Sequence, residues 1–97
     1  MDFKVNTVHF SPDEKLVDYI HNKVKKLELI YDQIIASEIY LRVDKSNSNE
    51  NKIAEVKILI PGNELFAKKQ CKSFEEAADS AVQALKKQVE KHKSKVA

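Results

Sequence analysis

IAEVKILIPGNELFAKKQCKSFEE, residues 53–76, is the stretch that decides the fold. Ala54, Val56, Ile58 and Ile60 share one parity and Glu55 and Lys57 the other, the pattern of a strand with one buried face. Pro61, Gly62 and Asn63 form a tight turn, after which Glu64 to about Gln70 returns beside the first run as a hairpin. Ser73 followed by Glu75 and Glu76 is then the capping box that opens a helix. Ala78, Val82, Leu85 and Val89 give that helix an apolar line, and it extends to about Lys93.

Upstream, residues 2–8 alternate and fit a first strand. Ser11 is the expected cap of a first helix, with Pro12 as its first residue and Glu14 completing the box. Leu16, Ile20, Val24 and Leu27 carry the helix to about Leu29 with one side facing the core. Ile35, Ser37, Ile39, Leu41 and Val43 then share one parity of a long second strand. The polar segment KSNSNEN, residues 45–51, reads as an exposed loop.

The expected fold is therefore α+β, in the order strand, helix, strand, strand, strand, helix. The first helix is long enough to cross over and make the first two strands parallel, so the four-stranded sheet is mixed and both helices cover one face. This order is similar to a double-stranded-RNA-binding fold with an extra N-terminal strand. A ferredoxin-like order would need another strand after the last helix, and EKHKSKVA, residues 90–97, offers none.

A chain of 97 residues suits one domain, 1–97, with the last few residues a flexible basic tail. No apolar run approaches the roughly 20 residues of a membrane span, and the N-terminus lacks a signal-peptide block, so the expected location is cytoplasmic. Cys71 is the single cysteine, which excludes an internal disulfide. One glycine, Gly62, excludes the glycine-rich phosphate loops of nucleotide enzymes. His9, His21 and His92 lie on different segments with no zinc spacing, so no metal is expected. Glu75, Glu76 and Asp79 read as first-turn acids that offset a helix dipole, not as catalytic carboxylates. Neither an enzyme nor a cofactor is indicated.

The informative group is basic. The formal charge is +2, but residues 84–97 hold five lysines against one glutamate, +4, leaving −2 for residues 1–83. Lys87 and Lys91 point away from the Leu85 and Val89 stripe, while Lys86 and Lys93 flank it. Lys23 and Lys26 border the core side of the first helix, so two basic edges are placed to converge into a surface for a polyanion. Lysine-rich helix ends also arise for dipole and solubility reasons, and charge pattern does not separate the readings. His92, beside these lysines, either completes a helix C-terminus or joins them on phosphate.

HNKVKKLELIYDQI, residues 21–34, and LKKQVEKHKSK, residues 85–95, with Ala77 and Asp79 near the second helix start, resemble the short bacterial ribosome hibernation-promoting factors, relatives of the ribosome-associated translation inhibitor. The resemblance covers almost the whole chain. It implies binding to the small ribosomal subunit in the channel used by messenger and transfer RNA, and inhibition of translation by occlusion. Carried over by position, Lys23 and Lys26 match basic positions of the first helix, and Lys87, Gln88, Lys91 and Lys93 match the second. Lys86 and His92 join the RNA-binding set from local charge alone. Two positions depart from the family pattern: Ala84 stands where a lysine is frequent, and Ser73 where an acid opens the helix. The long C-terminal extension of long family members is not expected here, so any pairing of ribosomes would need a second hibernation factor or would not occur. The competing readings are a general double-stranded-RNA binder and a protein adaptor using the open sheet face, with Tyr40 and Phe66 as anchors.

Overall fold

The computed structural model describes residues 1–45 and 49–96, the last two by backbone alone. Its elements run β1 (Asp2–Thr7), α1 (Glu14–Ile30), β2 (Ala36–Val43), β3 (Lys52–Ile60), β4 (Asn63–Cys71) and α2 (Phe74–Val96). The sheet order is β1-β2-β3-β4, with β1 parallel to β2 and the other neighbours antiparallel. This is the α+β order expected from the sequence.

Register follows from the alternation. Val56 pairs with Ile39 on one side and Ala67 on the other, and Ile58 pairs with Ser37 and Leu65. These residues, with Leu41 and Ala54, line the sheet face beneath the helices. Ile20, Val24 and Leu27 of α1 and Ala78, Val82, Leu85 and Val89 of α2 close the core from above. Stacking of Phe3 on His21, ring centroids 4.3 Å apart, ties β1 to α1. Phe10 stacks on Phe74 at 5.2 Å, joining the approach to α1 to the first turn of α2.

The β3–β4 turn has Ile60 opposite Asn63, with Pro61 and Gly62 as its central residues. Proline holds the first φ negative, and Gly62 takes φ +73, which only a residue without Cβ adopts freely. That combination is a type II turn.

The start of α1 differs from the sequence reading. Asp13, not Ser11, is the cap: it is extended, its carboxylate accepts the Lys15 N–H at 3.2 Å, and its carbonyl accepts from Val17. Pro12 lies outside the helix. The Ser-Pro-Asp-Glu run offers two capping residues, and the helix takes the one beyond the proline. At α2 the expected cap is present, with the Glu76 N–H donating to Ser73 Oγ at 3.1 Å. The residues read as a basic tail continue α2 to Val96, about a turn beyond Lys93, and Ala97 lies outside the described residues. Of the expected loop 45–51, residues 46–48 also lie outside them.

Candidate RNA-binding surface

Strand directions decide where the lysines gather. The starts of α1 and α2 lie at the end of the sheet where β1, β2 and β4 finish, and both helix C-termini lie at the other end, beside the Pro61–Gly62 turn. The Lys93 ammonium donates to the carbonyl of Ile30, the last residue of α1, at 2.7 Å. A cation there offsets the negative end of the helix dipole and fixes the two C-termini against each other.

Around α2, successive residues turn by about 100°, so Lys86 and Lys93, seven apart, fall within about 20° of each other. Both face α1. Lys86 shares a groove of about 330 Å³ with Lys23 and Lys26 of α1, over a floor formed by Leu27, Ile30 and Val82. The structure thus brings together Lys23, Lys26 and Lys86, two of them expected from the family pattern and one from local charge. Among the described residues Lys26 and Lys86 form no ion pair, and both are exposed.

Lys23 is held differently. Its ammonium lies 3.2 Å from Asp79 Oδ1 and 5.3 Å from the centre of the Tyr19 ring. Hydrogen bonding to Asp79, then the charge of that carboxylate, then Tyr19, raise its pKa above the ordinary lysine value. Asp79 Oδ1 is buried and has no other partner among the described residues, while the Asp79 side chain as a whole is 38% exposed. Lys23 therefore pairs with a half-buried carboxylate first and adds to the cationic rim second. Sequence reading assigned Asp79 to the helix dipole and missed the pair, although the two helices facing each other supplied the opportunity.

Lys87 and Lys91 lie about 100° and 140° further round α2 from Lys86. Lys87 is exposed. Lys91 sits on the β4 side, with Gln88, His92, Asn63 and Leu65 around a shallow depression. Gln88 donates from Nε2 to the carbonyl of Phe66 at 2.9 Å, so this amide covers an edge-strand carbonyl. His92 meets the Tyr31 ring edge-on at 5.6 Å. The expected set is thus divided: Lys23, Lys26, Lys86 and Lys93 along the α1–α2 junction, Lys87 and Lys91 on the outer flank of α2, Gln88 and His92 engaged by the fold.

The opposite sheet face is laced with short-range pairs. Arg42 meets Glu55 at 3.6 Å, Lys57 meets Glu64 at 3.5 Å, and the Tyr40 hydroxyl donates to Glu38 at 2.6 Å. Of the two anchors considered for an adaptor, the Tyr40 hydroxyl is tied to Glu38 and the Phe66 side chain is 48% exposed. Among the described residues no group of His, Cys, Asp and Glu could hold a metal, and no helix is long and apolar enough to cross a membrane.

A ribosome hibernation promoting factor of Pseudomonas putida is 26% identical over 95 residues, covering 98% of this chain and 89% of its own. A ribosomal subunit interface protein of Coxiella burnetii superposes with a TM-score of 0.86 at 18% identity, covering 97% of this chain and 99% of the other. The Thermus thermophilus Protein Y N-terminal domain does so with a TM-score of 0.82 at 20% identity, covering 95% and 99%. The family model described as Sigma 54 modulation protein / S30EA ribosomal protein matches residues 3–97, and the chain belongs to that family.

Proposed function

We propose that this protein is a ribosome hibernation factor that binds the small subunit in the messenger and transfer RNA channel and inhibits translation by occupying that space. The observation that carries the reading is the cationic junction of α1 and α2, where Lys26 and Lys86 face solvent without carboxylate partners among the described residues. Folded ribosomal RNA presents closely spaced phosphates, and lysines that neutralise them release counterions. Lys87 and Lys91 extend the charged surface around α2, while contacts to phosphate position the domain without reading sequence. No chemical step is needed: the helix layer binds, and the volume of the domain excludes transfer RNA. The names borne by the Pseudomonas and Coxiella relatives support the ribosome as partner.

The test is co-sedimentation with purified small subunits and whole ribosomes through sucrose. Substituting Lys87 and Lys91 together by Glu, and separately Lys26 and Lys86 by Glu, is expected to move the protein to the top fractions with an unchanged circular dichroism spectrum. Unchanged co-sedimentation of both variants removes the assigned surface. Naked RNA duplexes supplied in the same assay separate a dedicated ribosome factor, which leaves them unbound, from a general duplex binder.

A further inference from the structure

The α1–α2 junction holds more than charge. Leu29 at its mouth is 87% exposed and borders a groove that Gln83, Lys26 and Lys86 also line, above Leu27 and Val82, which the core buries to 1% and 5% exposure. A surface that only neutralised phosphates would gain nothing from the exposed Leu29 side chain, since apolar area in water is unfavourable and a phosphate contact does not cover it. Gln83 is exposed and joined to no other described side chain. Its amide offers a donor and an acceptor side by side, the arrangement that reads the edge of a nucleobase.

We infer that this groove receives the unstacked base of a single nucleotide of ribosomal RNA. The inference rests on the ribosomal reading above and adds a base-recognising pocket to it. The face of the base lies on Leu29, its edge meets the Gln83 amide, and Lys26 and Lys86 take the flanking phosphates. A continuous duplex cannot supply such a group, because its bases are stacked, whereas loops and bulges can. An acidic polypeptide also meets the lysines, and its backbone N–H and C=O offer Gln83 the same pairing; the identity of the crosslinked product below separates it from a base.

The experiment measures binding of the full chain to purified small subunits across a salt series, for the native protein, Leu29→Ser, Gln83→Ala and the Lys26→Glu/Lys86→Glu pair. Leu29→Ser and Gln83→Ala are each expected to weaken binding about fivefold or more, the scale of a lost base contact. The slope of log affinity against log salt should stay unchanged, since no charge is removed. In parallel, a photoreactive leucine analogue at position 29 is expected to crosslink to an unpaired ribosomal RNA nucleotide. Native-like binding by both single variants, with the lysine pair inactive, overturns the pocket and leaves the phosphate surface standing. A crosslink to a ribosomal protein overturns it in favour of a protein contact. Native-like binding by the lysine pair removes the underlying reading as well. Leu29 is on the surface, so its substitution leaves the fold intact, which circular dichroism verifies.

Discussion

Ser37 is 1% exposed in β2, on the helix-facing side between Phe3 and Ile58, and its Oγ has no hydrogen-bond partner among the described residues. A buried hydroxyl without a partner forfeits its hydration. Ser37→Ala should therefore raise stability by about 1 kcal/mol in urea unfolding; a loss of stability would mean that the hydroxyl is satisfied. Lys23 carries a pH consequence. Its pKa is raised by Asp79, so the contribution of the pair is fully present below the ordinary lysine value of 10.5 and is lost as pH rises through the higher folded value. Thermal denaturation should show no effect of Lys23→Met on the pH dependence of stability between neutrality and pH 9. Above pH 10 the difference between native and variant should shrink. Lys23 is also the position where family pattern and structure diverge in meaning: a basic match in sequence is here the partner of a half-buried carboxylate, so its loss is expected to lower stability slightly as well as ribosome binding.

Among the elements, the start of α1 shows what a sequence can and cannot specify. Asp13→Ala should cost about 1 kcal/mol and Ser11→Ala within about 0.5 kcal/mol, because only the Asp13 carboxylate meets a helix N–H. The reverse ranking would restore Ser11 as the cap. Strand identity, pairing order and the parallel β1–β2 crossover were legible, since alternation and a 17-residue helix leave few arrangements for a single sheet. The cap was not, because Ser11 and Asp13 are both good capping residues and backbone angles are absent from a sequence. Lys26, Lys86 and Lys87 could be assigned as exposed cations from helical phase alone. The engagement of Gln88 with Phe66 O and of Lys93 with Ile30 O could not, since these bonds join residues 22 and 63 positions apart. The Asp79 partner of Lys23 was hidden for the same reason. Gln83 and Leu29 passed unnoticed because neither charge nor core periodicity marks them; an apolar residue off the buried stripe was the available signal.

For the whole molecule, both helix C-termini and the Pro61–Gly62 turn share one end, and lysines there answer two demands. Lys93 offsets helix dipoles at that end, while Lys26 and Lys86 have no such duty in the fold. The distinction separates a solubility role from a binding role: dipole cations stabilise the free protein, and binding cations leave its stability unchanged. The account is tested most directly by the salt dependence of affinity for purified small subunits, measured for the native chain and for Lys26→Ala/Lys86→Ala. If these ammonium groups sit on ribosomal phosphates, the variant binds more weakly and the log–log slope becomes shallower by roughly 1.5–2 for the two contacts removed. An unaltered slope with unaltered affinity would contradict the claim that the α1–α2 junction is where this protein meets ribosomal RNA.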